Sequence, residues 1–160
     1  MGAIAGGCGG YPQVLNLTYD AGGRALNSPA SELSPQFTGE YLVFVSDRNG
    51  SHDVYLYNLE ARQLIDLPGL NNLTSSAADP SISEDGQYIV YTASRLGIAD
   101  IYIYDRETGL NRNLTEGLQA EVRRPVISAD GSRIAFEANR EGQWDVLVYA
   151  RSGEEVDGSE

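Results

Sequence analysis

The chain has 160 residues, enough for one domain with a real core but short for two. Its hydrophobic fraction of 41%, charged fraction of 21% and 18 glycines fit a turn-rich globular protein and exclude wholesale disorder. The formal net charge is -12 and the 11 basic residues are scattered, which excludes a cationic footprint for phosphates: neither nucleic acid nor an anionic lipid surface is an expected partner.

In chain order, residues 1–13 form a glycine-rich leader. Its run Ala5-Gly6-Gly7-Cys8-Gly9-Gly10 resembles the end of a bacterial lipoprotein signal, although the basic and apolar regions are missing and Ala5 stands where leucine is usual. The bland alternative is a flexible leader. Cys8 is the single cysteine, so no internal disulfide forms, and no stretch reaches the roughly 18 to 20 apolar residues that cross a bilayer. Val14-Leu15-Asn16-Leu17-Thr18 then reads as one isolated strand.

From residue 33 the chain repeats itself. Pro80-Ser81-Ile82-Ser83-Glu84-Asp85-Gly86-Gln87-Tyr88-Ile89-Val90-Tyr91 maps without a gap, 45 residues on, onto Pro125-Val126-Ile127-Ser128-Ala129-Asp130-Gly131-Ser132-Arg133-Ile134-Ala135-Phe136. The same offset carries Arg95, Asp100, Ile101 and Tyr104 onto Arg140, Asp145, Val146 and Tyr149. A first copy lies 47 residues before the second, placing Phe44, Arg48, Asp53, Val54 and Tyr57 on Tyr91, Arg95, Asp100, Ile101 and Tyr104. In that register two extra loop residues explain the offset, Thr38-Gly39 replaces Asp-Gly, and Leu33 takes the leading proline position.

Within each copy, β-branched and aromatic runs such as 41–45 and 53–57 read as strands, joined by polar turns holding Gly50, Gly97 or Gly142. Further strands follow at 63–67 and 111–115, giving four strands per copy, a to d, over about 33–67, 80–115 and 125–149. The third copy stops after strand c: 151–160 is an acidic tail, expected to fray, with Val156-Asp157-Gly158-Ser159-Glu160 where an Asn-Leu-Thr strand is due. The missing strand matches Val14 to Thr18, because Asn16-Leu17-Thr18 repeats Asn113-Leu114-Thr115.

The pattern Pro-x-x-Ser-x-Asp-Gly, apolar strand, Ser-x-Arg-x-Gly turn and Asp-Ile-Tyr resembles the TolB-type WD40-like (PD40) β-propeller repeat. The resemblance implies an all-β fold of three four-stranded blades across 14–150, where members usually carry six. Half a ring then predicts a homodimer in which Val14, Leu15 and Leu17 of each subunit complete the third blade of the other; a fragment of a longer propeller, or an open half, is the alternative. It also implies a non-enzymatic scaffold that binds an unidentified protein or peptide, in the periplasm or on a lipoprotein anchor, with the cytoplasm left open.

The residues themselves offer little catalytic apparatus. Arg48/Asp53, Arg95/Asp100 and Arg140/Asp145 recur once per blade, as turn-stabilising pairs would, whereas an active site needs unlike groups converging once. Asp47 to Asp53 is oxygen-rich but lacks the spaced acids and closing glutamate of a calcium loop, leaving calcium as a minor possibility; no other cofactor and no metal ligand set is expected. His52 is the only histidine and no Gly-x-Ser-x-Gly elbow or phosphate loop accompanies it. Trp144, at a hairpin turn, is either an exposed contact or packed on a neighbouring blade. The variable d-to-a loops open on one face, so Asp79, Glu121, Arg123 and Arg124, beside the leading prolines, form the expected partner-binding mouth. A ligand- or metal-binding propeller with its site in the channel is the competing expectation.

Overall fold

The computed structural model describes residues 24–72 and 74–156, and among these every regular element is a strand. Blade 1 holds β1 (Glu32–Phe37), β2 (Tyr41–Ser46), β3 (Asp53–Asn58) and β4 (Gln63–Ile65); blade 2 holds β5 (Ser76–Ile82), β6 (Tyr88–Arg95), β7 (Ile98–Asp105) and β8 (Leu110–Asn113). Both are antiparallel meanders. Among the described residues blade 3 holds three strands, β9 (Glu121–Ile127), β10 (Arg133–Arg140) and β11 (Gln143–Ala150). No helix long and apolar enough to cross a membrane occurs among the described residues.

Side chains alternate along each strand, so a central strand is apolar on both faces when blades flank it on both sides. In β6, Ile89, Tyr91 and Ala93 join the cluster against Val43, Val54 and Leu56 of blade 1, whereas Val90 joins Ile134, Phe136 and Ala138 of blade 3. Each such fully buried aliphatic is worth about 1.5–3 kcal/mol. The blade-to-blade joints therefore contribute most of the fold's stability, since a lone meander buries neither face.

The a strands β1, β5 and β9 line the inner edge and contact one another in turn. One hydrogen bond repeats there: the Ile82 amide donates to Gln36 Oε1 (2.7 Å), and the Ile127 amide donates to Ser81 Oγ (3.2 Å). Each a strand also carries a bulge, where the ladder slips next to Ser34-Pro35, Asp79-Pro80 and Arg124-Pro125. Proline has no amide to lose, and the residue before it sits left-handed, at φ 49°, 48° and 51° in turn.

The bulges correct the alignment of the first copy. Pro35, not Leu33, is its leading proline, 45 residues before Pro80. The two-residue difference arises from a shorter a–b turn rather than extra loop: the Thr38 amide bonds the Tyr41 carbonyl, whereas the Ser83 amide bonds the Tyr88 carbonyl. The tail also differs in part from expectation. Residues 151–156 turn back so that the Ala150 amide donates to Glu154 O (2.8 Å), the Val156 amide donates to Val148 O (2.7 Å), and Glu155 bridges Tyr149.

Tyr91 shows what the joint does to a polar group. The residue is 3% exposed, and its phenol donates to the Leu70 carbonyl (3.3 Å) and accepts from Asn111 Nδ2 (2.6 Å). Burial pushes its pKa up to about 12. An unfolded tyrosine ionises near 10, so the neutral form is favoured by folding; that stability is complete below about pH 10 and is lost as pH climbs to about 12. Denaturant melts at pH 9 and 11 should show the loss, and Tyr91→Phe should lessen it, the part that remains coming from Tyr55, Tyr104 and Tyr149, whose pKa values burial also raises.

Candidate functional site

The expected mouth is assembled only in part. Arg124 is at the bulge of β9, and its Nη1 lies 3.4 Å from Glu137 Oε1. Arg123 Nε donates to Glu137 Oε2 at 2.6 Å, and the Arg123 guanidinium stacks 3.8 Å from the centre of the Trp144 ring. The Arg123 hydrogen bond holds the Glu137 carboxyl below its ordinary pKa. Arg124 remains 64% exposed and Glu121 is exposed at the strand's start, so the cluster is built but open to solvent. Asp79 occupies the homologous bulge one blade away and shares no ion pair with this cluster.

Glu137 is the member that sequence reasoning missed. Its signal was present: Thr92 and Val45 hold that position in the other copies, and a carboxylate there breaks the repeat. Trp144 packs beneath Arg123 of its own blade, where Ala99 and His52 stand in the others.

The recurrent Arg-x4-Asp residues are not paired with one another. Blade 2 runs its ladder to Arg95↔Ile98 around the left-handed pair Leu96-Gly97, a tight two-residue hairpin that leaves the arginine at the rim. Blade 1 has the same spacing but Asn49-Gly50 at the turn, and its ladder stops at Ser46↔Asp53. Arg48 swings inward there, stacks on Tyr55 (4.7 Å) and Phe44 (5.4 Å), and pairs with Glu32 at 3.0 Å. Arg140 pairs with Glu155 at 3.3 Å. Asp53 accepts from Ser51 Oγ, Asp100 from Thr115 Oγ1 and Asp145 from Gln143 Nε2. Burial raises the Asp53 pKa, the Ser51 hydrogen bond opposing it.

In the oxygen-rich loop, Asp47 Oδ1 accepts the Ser31 amide and His52 Nδ1 lies 3.3 Å from Ser76 Oγ. Among the described residues no three His, Cys, Asp or Glu side chains converge as a metal site. Cys8, Val14, Leu15 and Leu17 lie outside the described residues. A groove of about 740 Å³ runs between blades 2 and 3, with Tyr88, Ile103, Leu110 and Ala150 as apolar walls and Arg112 and Arg151 at its rim.

The TolB beta propeller domain family, PD40, matches residues 12–158 of the sequence. The chain belongs to that family. Solved structures similar to this TolB-type propeller include a putative TolB from Agrobacterium tumefaciens, at 26% identity and a TM-score of 0.58, covering 76% of this chain and 43% of that one. TolB from Acinetobacter baumannii follows at 21% identity and a TM-score of 0.51, covering 79% and 43%. An oligogalacturonate lyase from Vibrio parahaemolyticus shares the fold at 17% identity and a TM-score of 0.61, covering 83% and 42%. The chain thus spans less than half the length of the TolB proteins it matches. No curated protein matches it.

Proposed function

We propose that this TolB-type propeller is a non-enzymatic scaffold that binds a protein or peptide at the mouth built from the a-strand bulges, and that it works in the periplasm. The observation that carries this is the Arg123–Glu137–Arg124 cluster over Trp144, which occurs in one blade of three and breaks an otherwise regular repeat. An exposed arginine oriented by a carboxylate beside an aromatic ring offers both charge-assisted hydrogen bonds and stacking area to a peptide. Two copies complete the ring in this reading.

A photoreactive phenylalanine analogue placed at Arg124 in the native host tests it. Discrete adducts with the same protein, absent when the analogue replaces Glu107 on the outer turn, are expected. Identical adducts from both positions would overturn the mouth as the binding face. The competing reading is a ligand- or metal-binding propeller, favoured by the fold shared with a lyase. Stoichiometric divalent metal in the purified chain would select it.

A further inference from the structure

The two blade-to-blade joints follow one plan but carry different residues towards the outer strands. At the joint of blades 1 and 2 the relevant positions hold Gln63 and Ile65 of β4, with Gln87 and Glu107 of blade 2. Ile65 packs against the buried cluster there, and Gln87 Nε2 donates to Glu107 Oε2 at 3.2 Å. In the repeat register their counterparts at the joint of blades 2 and 3 are Leu110, Arg112, Ser132 and Ser152. An aliphatic side chain stands in place of an amide, a guanidinium in place of an aliphatic, and two serines in place of a longer amide and a carboxylate. All four line the groove of about 740 Å³, together with Tyr88 and Arg151. That volume falls inside the range of about 300–1,000 Å³ typical of small-molecule sites.

The groove's charge has also changed sign relative to the first joint. Arg112 reaches across to donate to the Arg151 and Ser152 carbonyls. Arg151 stacks on the Tyr88 ring (4.3 Å) and donates to the Gly131 carbonyl (3.4 Å). Both arginines are exposed, neither joins an ion pair among the described residues, and these bonds leave further N–H groups on each guanidinium. The Tyr88 hydroxyl likewise has no hydrogen-bond partner among the described residues. One carboxylate, Asp105, lines the groove, and its Oδ1 accepts the Glu107 amide (3.0 Å) and Gln87 Nε2 (3.4 Å) within blade 2. The corresponding positions of the first joint hold one cation, Arg106, and two carboxylates, Asp105 and Glu107. A local excess of guanidinium beside apolar walls, in a chain of net charge -12, favours an anion with an apolar body.

We propose that this groove is a binding site for a small amphipathic monocarboxylate. The apolar chain lies along Ile103, Leu110 and Ala150, and the carboxylate takes N–H donors of Arg112 and Arg151 and the Tyr88 hydroxyl. A planar guanidinium fork suits a carboxylate, while Asp105 repels a second negative group and so selects a single charge. The site is separate from the mouth: it opens at the turns holding Ser132 and Ser152, whereas Arg123, Arg124 and Trp144 lie at the opposite ends of β9 and β11. It stands whether or not a protein or peptide binds there.

Calorimetric titration of the full chain with octanoate is the test, paired with methyl NMR. Octanoate should bind at one site per chain and shift the methyl signals of Ile103, Leu110 and Ala150. Octanol lacks the charge and octanedioate brings a second one, so each should bind about 10-fold more weakly. Leu110→Glu places a carboxylate in the groove, and Ser132→Gln with Ser152→Glu restores the residues of the first joint. These three positions are exposed, so both variants should keep the wild-type melting temperature while losing octanoate affinity about 10-fold or more. Neither heat nor methyl shifts at about 5 mM octanoate would overturn the site. Octanol binding as tightly as octanoate would overturn the role of the arginines, and undiminished octanoate binding by Leu110→Glu would overturn the groove as its location.

Discussion

Gly86→Ala should destabilise the chain by about 3 kcal/mol, lowering its melting temperature by roughly 6–12 °C, whereas Gly97→Ala should cost only about 1 kcal/mol. Both glycines are left-handed, at φ 72° and 82°, so both substitutions meet the same backbone penalty. They differ in what surrounds them. A Cβ at Gly86 would lie 2.4 Å from the Tyr41 ring of the preceding blade, while a Cβ at Gly97 meets nothing within 4 Å. Tyr41 cannot retreat, because Arg106 stacks on it (4.9 Å) and bonds the Gly86 carbonyl (2.6 Å). The joint recurs: a Cβ at Gly131 would lie 2.8 Å from Tyr88, with Arg151 stacked at 4.3 Å. Equal losses from the two alanines in chemical denaturation would show that Tyr41 does not hold Gly86 in place. With Tyr41→Ala already present, Gly86→Ala should cost less than it does alone.

Arg48→Ala should cost about 3 kcal/mol and Arg95→Ala less than about 0.5 kcal/mol, although the two arginines occupy the same place in the repeat. The Arg48 side chain is 6% exposed and its guanidinium bonds the Ala25 and Leu26 carbonyls, Ser46 Oγ and Glu32. Removing it strands a Glu32 carboxylate that is itself 19% exposed, to which, among the described residues, the Ser28 amide and hydroxyl and the Ser46 hydroxyl still donate. Arg48→Lys keeps the charge but not the planar fork that reaches two carbonyls at once, so it should recover only part of the loss. Faster proteolysis around Ala25 and Leu26 in Arg48→Ala is the second readout. Comparable urea midpoints for Arg48→Ala and Arg95→Ala would refute the division of labour.

The joint also gives the Asp-Gly signature its physical content. Ser83 Oγ and Ser128 Oγ donate to Asp85 (2.6 Å) and Asp130 (2.5 Å), which closes each a–b turn, and the hydroxyl of Ser128 helps hold the Asp130 carboxyl at about 2. The following glycine then lets the neighbouring blade's tyrosine lie flat on the backbone. At the two ends of the array the partners change: Arg133 stands at the tyrosine position and Leu59 at the arginine position. The outer faces of blades 1 and 3 are thus chemically unlike the internal joints.

The blades were legible in the sequence because periodicity two, turn glycines and a 45-residue repeat are local facts, and local facts fix which residues pair within a meander. The repeated arginines were legible as repeated but not as different, since their roles diverge at a two-residue turn whose effect is to let one of them swing over Phe44 and Tyr55. Pro35 was misplaced for a related reason: a deletion inside a turn and an insertion beside it leave the same offset, and the left-handed φ at Ser34 together with the shorter Thr38-to-Tyr41 turn separates them. Arg123 and Arg124 were nominated from loop position, but Glu137 and Trp144, which hold them, come from two other strands. Sequence alone settled what each blade is made of; packing between blades decided which side chains are buried and which are free to meet a partner, because that depends on contacts dozens of residues apart.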